Sequence, residues 1–393
     1  MQIGFLARDR REAFCLRWIG LGVYLFILSF FFASGPALIR NLFYLFVLLP
    51  VIAVIPWRPW RLEEYGGYFT LSALVFAAYS VVASLWGNAQ DFGFFFKQWV
   101  FLAIWLCGVA WLMHHKPINI QRLYILIIIV AMVGALVTVL YFYIYKNNAL
   151  GTRLLGLGMV ENSTVVAQIY GVAGLLAYMK SLFASNWRIS LGFFCVAIIC
   201  SLVILLSQTR GSALAFVIAA CVAMISVRPK SYVWLPQVIL AALAVLVLFF
   251  GFNVGDILQE RGISFSERDV IWRELISRSL ARPLFGLGYV QDSRIIIPDV
   301  DVFHHAHNSW IDILYYCGLV GLMLAVWHGA LIANSFVRNE NIMPLYIWWI
   351  FGCLCLMTNG SSLLTRPDAQ WFMYWVPAGL LAGLVMRYRR GLS

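Results

Sequence analysis

Charge is what this sequence has least of. Only 11% of its 393 residues are Asp, Glu, Lys or Arg, against about 25% in an ordinary soluble domain. A soluble fold of this length is excluded, because it could not hide the apolar surface that remains. The eight cysteines fall in or beside apolar runs and avoid the long hydrophilic segment at 253–309, which argues against a disulfide framework. Cys353 and Cys355 are spaced C-x-C within a helical run and point to different faces, so they make neither a redox pair nor a metal site. No Walker-type glycine-rich motif is present. No internal repeat is evident, and charged residues avoid the centres of the apolar runs. Both absences weigh against a transporter, whose sites lie at the midplane between repeats.

What is present is hydrophobic: 63% of the residues and a mean hydropathy of +0.86. Apolar runs of about 20 residues, long enough for a hydrocarbon core of about 30 Å, occur near 14–34, 38–56, 68–87, 93–113, 123–145, 164–184, 188–206, 211–227, 232–252, 310–333, 343–360 and 371–386. They are too long for barrel strands and do not alternate, so they predict helices. The expected fold is therefore an all-α polytopic membrane protein of about twelve spans. The first run follows Arg8, Arg10 and Arg11 but is too long for a signal-peptide core, and reads as a retained helix. With the N terminus inside, 16 of the 28 basic residues lie on the cytoplasmic side and six in the short outer loops, which predicts both termini cytoplasmic. The net charge of +11 is then largely topological, and nucleic-acid binding is not needed to explain it. The chain divides into 1–252 with spans one to nine, a cap at 253–309, and 310–393 with the last three spans.

The cap would face the outer, periplasmic side. Its roughly 57 residues are few for an independent domain, so it should pack on the bundle. Ser266 followed by Asp269 resembles a capping box, and Val270, Ile271, Leu275, Ile276 and Leu280 form a helical stripe. An amphipathic helix is expected at about 267–281, stopped by Pro283, with Gly286 and Gly288 in a tight turn. The basic residues of the cap are all arginine: Arg261, Arg268, Arg273, Arg278, Arg282 and Arg294. Most should pair with the eight carboxylates of the same segment. Arg268 differs, since it sits in a first helical turn where the dipole disfavours cations and favours a bound anion.

The cap ends in DVFHHAHNSW, with His304, His305 and His307. These histidines admit three readings: a metal site completed by Asp299 or Asp301, a polar interfacial loop, or a general base at the membrane surface. Elsewhere SQTRG holds Arg210 in a tight turn between two apolar runs. Its bland role is snorkelling to headgroups.

Three motifs carry a resemblance. His307-Asn308 followed after nine residues by Gly318-Leu319-Val320-Gly321, the SQTRG turn, and Arg268–Trp272 followed by Arg282-Pro283-Leu284-Phe285-Gly286-Leu287-Gly288 together resemble the O-antigen ligase family, best over residues 150–330. The wider superfamily includes O-antigen polymerases and protein O-oligosaccharyltransferases. The resemblance implies a GT-C-like, metal-independent, inverting glycosyltransferase of the Gram-negative inner membrane, with its active site on the periplasmic face and no cofactor. Its donor would be a polysaccharide on undecaprenyl diphosphate, and its acceptor a sugar hydroxyl of lipid A–core. Under it, His307 is the expected general base, with Asn308 beside it, and Arg210 and Arg268 hold the donor diphosphate. Arg153, Asn162 and Arg366, also in outer loops, are candidates to line the donor groove. Carboxylates paired for a covalent glycosyl intermediate are not evident. The rival readings are a polymerase or oligosaccharyltransferase using the same donor and, outside enzymes, a flippase for the lipid-linked sugar.

Overall fold

The computed structural model describes residues 2–54, 63–87, 92–115, 118–149, 151–230, 233–234, 237–238, 268–289, 295–297, 301–303 and 305–391. Among them are α1 (Gln2–Phe32), α2 (Pro36–Val54), α3 (Gly67–Trp86), α4 (Phe92–His115), α5 (Ile120–Tyr145), α6 (Ser163–Leu182), α7 (Trp187–Leu206), α8 (Arg210–Val227), α9 (Arg268–Ser279), α10 (Ser309–Asn334), α11 (Met343–Leu356) and α12 (Val376–Arg389). A short antiparallel hairpin pairs β1 (Ile295–Ile297) with β2 (Asp301–Phe303). Nine of these helices are long and apolar enough to cross a membrane: α1 to α8 and α10. They coincide with nine of the twelve apolar runs. The run at 232–252 lies mostly outside the described residues. α11 is shorter, at 14 residues, and α12 continues a π-helical turn at Trp371–Trp375.

Local chemistry sets the helix starts. Asn119, Asn162, Asn186 and Asn308 cap α5, α6, α7 and α10, each side chain accepting backbone N–H bonds from the first turn. Such caps satisfy donors that lipid cannot. Pro36, Pro344 and Pro377 occupy first turns, where no N–H partner is lost. The helices are hydrophobic nearly all round, so burial rather than amphipathicity identifies the centre. α6 is 89% buried and lies at the middle of the bundle, whereas α8 at 22% lies at its edge. At the end of the bundle away from the asparagine-capped α6 and α10, Arg390 pairs with Glu63 and His115 with Glu64.

α10 is not the continuous span that the sequence predicts. Gly318 interrupts it with φ 65° and ψ −166°. The 282–288 turn fills the break. Leu287 and Gly288 donate N–H bonds to the carbonyls of Tyr315 and Tyr316, while Leu319 and Val320 donate to Pro283 and Leu284. Tyr79 and Trp86 of α3 close the same seam, donating to the carbonyls of Cys317 and Gly286 at 3.2 and 3.1 Å. A broken helix is tolerated at membrane depth only when its freed backbone groups find protein partners. Here the arginine–proline turn and the Gly318–Gly321 segment are two halves of one clamp.

The expected amphipathic helix is α9, described from Arg268, where the described residues resume, to Ser279. Its buried residues are Ile271, Leu275 and Ser279. Val270, Ile276 and Leu280 of the expected stripe are exposed, because a one-turn spacing of four selects a narrower face than the apolar pattern suggests. Ser266 lies outside the described residues. Among the described residues, the expected pairing of arginines with carboxylates holds for two: Arg273 bonds Asp269 at 3.1 Å and Arg278 bonds Glu274 at 2.8 Å.

Candidate functional site

One end of the bundle gathers the starts of α6, α8, α9 and α10 and the end of α11. His307 stands just before the Asn308 cap of α10. Its backbone is left-handed, at φ 52°, a conformation that costs a non-glycine residue roughly 1–2 kcal/mol. The neighbouring peptide is pinned from both sides. The N–H of Ala306 donates to Asp312 Oδ1 at 3.1 Å and its carbonyl accepts from Trp272 Nε1 of α9 at 2.8 Å. Ala306 and Asp312 are 0% and 1% exposed, so neither bond competes with water. α9 and the first turn of α10 thereby fix the loop that carries His307. The His307 N–H donates to His305 Nδ1 at 3.2 Å, and the two rings are 4.0 Å apart.

The His307 ring is half-buried. Its Nδ1 faces Asn359 Oδ1 at 3.4 Å. A carbonyl oxygen there favours the tautomer with the proton on Nδ1, which makes Nε2 the basic nitrogen. Burial pulls the imidazole pKa below its usual 6.5; the Asn359 contact opposes this, and the positive charge of Arg268 adds to it. The ring is therefore held neutral near physiological pH.

Arg268, the first residue of α9, is itself pressed. Burial lowers its pKa, and the charge of Arg153 lowers it further. Arginine does not give up its proton in proteins. Burial without a compensating anion, and secondarily the like charge of Arg153, disfavour its charge, and no described carboxylate lies within ion-pair reach of Arg268. Arg153 is held by its Nε–H bond to the carbonyl of Ser207 at 2.9 Å. The same segment is stitched to the SQTRG turn by Leu154 N to Leu206 O at 2.9 Å and Gln208 Nε2 to Gly151 O at 2.8 Å. Arg210 opens α8 from that turn and is exposed. Its neighbour Gly211 lies so close to Thr358 that an added Cβ would fall 2.8 Å from the threonine Cβ. Thr358 precedes Asn359, so the turn abuts the segment that holds His307. Gly360, next in line, packs on Ser309 of α10.

The expected residues thus divide. His307, Arg268 and Arg153 form one electrostatic cluster, with the Arg210 turn against it. Asn308 and Asn162 are helix caps, their side-chain oxygens taken by Trp310 and Ile311 N–H and by Thr164 N–H. Arg366 sits elsewhere, its guanidinium 5.2 Å from the Phe94 ring. Of the metal reading, His304 and Asp299 lie outside the described residues, while His305 Nδ1 is occupied as an acceptor. Asn359 and Asp312 are not among the expected residues, and Trp272, which closes the Arg268–Trp272 motif, has no role assigned from the sequence. The run Thr358-Asn359-Gly360 after an apolar span was the available signal for the first. Asp312, a carboxylate inside an apolar run, was the signal for the second.

Such a cluster sets positive charge beside a neutral imidazole. The cations can bind phosphate oxygens, and Nε2 can take a proton. The chain is also similar to known proteins. Residues 194–326 match the family described as O-antigen ligase. Over 389 residues the chain is 25% identical to an O-antigen ligase of Pseudomonas aeruginosa, covering 96% of this chain and 92% of that relative.

Proposed function

We propose that this chain, which belongs to the O-antigen ligase family, transfers a polysaccharide from undecaprenyl diphosphate to a sugar hydroxyl of lipid A–core. The observation that carries the reading is the juxtaposition of a neutral, oriented His307 with the crowded positive charge of Arg268 and Arg153. The acceptor hydroxyl loses its proton to His307 Nε2 as its oxygen attacks the anomeric carbon. The bond from that carbon to the diphosphate oxygen breaks, and the electron pair leaves with the lipid diphosphate. Direct displacement inverts the anomeric centre. Arg268, with Arg153 and Arg210, balances the negative charge as it grows. Fixed cations aimed at a developing charge act without reorganising, and each is worth about 10²–10³ in rate.

The chain then works as a twelve-span protein of the inner membrane, termini in the cytoplasm and the His307 cluster toward the periplasm. Both substrates reach it from the same leaflet. The test is ligation in proteoliposomes supplied with lipid-linked polysaccharide and lipid A–core. Wild type should form the conjugate. His307→Ala, present at the same level, should lose at least about 10² of the rate, the lower bound for a general base. Retained ligation by that variant would remove the base assignment. Product only when a second lipid-linked glycan replaces lipid A–core would make the protein a polymerase.

A further inference from the structure

A second cationic pocket lies at the same end of the bundle, away from His307. It has a volume of about 220 Å³ and is lined by Arg40 and Tyr44 of α2, Phe94, Lys97 and Gln98 of α4, and Arg366. We propose that this pocket binds a phosphate monoester carried by a lipid of the surrounding leaflet.

Three cations converge on it from three segments far apart in sequence. Two are held by aromatic rings: Lys97 Nζ lies 5.5 Å from the Phe101 centroid and Arg366 5.2 Å from that of Phe94. The acid nearest by its effect is Asp368, which Arg40 influences. Its Oδ1 already accepts the N–H groups of Gln370 and Trp371, at 2.9 and 3.3 Å. Among the described residues, one carboxylate is set against three cations, so this lining is positive. Gln98 supplies the independent sign of a ligand. It is 1% exposed, lines the pocket, and its Oε1 has no hydrogen-bond partner among the described residues. A buried acceptor left without a donor is costly. A phosphate monoester in its monoanionic form carries anionic oxygens for the cations and one O–H for the amide oxygen.

Position argues for a lipid as the carrier. Arg40 and Lys97 stand four and five residues into apolar helices that begin at Pro36 and Phe92, a depth of roughly 6–8 Å at the helical rise. That is the depth of the headgroup layer. Phe94 and Phe96, 37% and 48% exposed, flank the entrance with apolar surface.

The experiment uses the full chain in nanodiscs, with phosphatidic acid in phosphatidylcholine as the probe and native mass spectrometry as the readout. Wild type should retain phosphatidic acid in preference to phosphatidylcholine. Lys97→Gln or Arg366→Gln, both at exposed positions, should weaken retention about threefold each, as expected for partly screened charge-assisted contacts, and Arg40→Gln/Lys97→Gln/Arg366→Gln more than about tenfold. His307→Ala should retain the lipid as wild type does, so failure of the ligase reading is distinguishable from failure here. Equal retention by wild type and the triple variant would overturn the proposal. Binding of inorganic phosphate in pure phosphatidylcholine discs, without phosphatidic acid retention and lost in the triple variant, would overturn the lipid carrier and leave a site for free phosphate.

Discussion

Asp312 never meets substrate in this scheme, yet its replacement should cost activity. The N–H of Ala306 donates to Asp312 Oδ1 with both residues buried. Asp312→Ala leaves that N–H without a partner and without water. An orphaned buried donor costs about 1–3 kcal/mol. Local escape is easy, because His307 already holds a left-handed backbone; unpinning Ala306 lets it relax. If the whole penalty falls on the competent loop, the competent fraction drops by about 5- to 150-fold, at 1.4 kcal/mol per factor of ten. Asp312→Asn keeps an oxygen at the same place and should stay within a few-fold of wild type. Trp272→Phe removes the opposite pin, the 2.8 Å bond to the Ala306 carbonyl. An ordinary bond of about 0.5–1.5 kcal/mol translates to about a 2- to 12-fold loss.

The assay is single-turnover ligation at saturating donor, normalised to membrane level. A positioning defect lowers kcat, while donor affinity, which rests on the arginines, should hold. Full kcat in Asp312→Ala would refute the claim that the Ala306 peptide positions His307. Equal loss in Asp312→Asn and Asp312→Ala would show that the carboxyl group matters for something other than accepting this bond.

Three further outcomes follow from the same geometry. The active imidazole is the neutral one and its pKa lies below 6.5 through burial and Arg268, so ligation should persist on the acid side of that value. Removing the cation in Arg268→Gln relieves one depressing influence and should move the acid limb of the kcat profile upward, whereas Arg268→Lys should leave it near wild type; an unmoved limb in Arg268→Gln would break the link. Gly211→Ala places a methyl 2.8 Å from Thr358 Cβ, an overpacking worth about 1–3 kcal/mol. It should lower the unfolding temperature and the activity, with partial rescue by Thr358→Ala, and an unaffected variant would deny the contact. Gly318→Ala meets backbone rather than a movable side chain, with Gly286 N 2.5 Å from the added Cβ and φ at 65°. It should fail to accumulate in membranes, as an immunoblot would register.

What could be read in advance, and what could not, follows from where each feature's information lies. A span is written in contiguous residues, so the starts of α6, α8 and α10 at Ser163, Arg210 and Ser309 fell within a residue of the apolar runs. Arg268 could be singled out because a cation in a first turn opposes the helix dipole, a conflict visible without neighbours. Asn162 and Asn308 were ambiguous for the converse reason: an asparagine before an apolar run serves equally as cap and as ligand, and only the partners of its oxygen decide. The break in α10 was hidden, because Gly318 is an unremarkable residue in a membrane helix. Its meaning depends on the 282–288 turn, some thirty residues away, offering carbonyls and N–H groups in register. Arg366 shows the same limit from the other side. It shares its loop with Asn359, which touches His307, yet the loop folds so that the arginine meets Phe94 instead. Its place in an outer loop made Arg366 a candidate for the donor groove, and packing on Phe94 of α4 sets it apart from His307. Under the proposed function, two separate positive pockets at one end of the bundle suit substrates that both arrive on lipids, since each anionic headgroup then has its own anchor and the two do not compete for one.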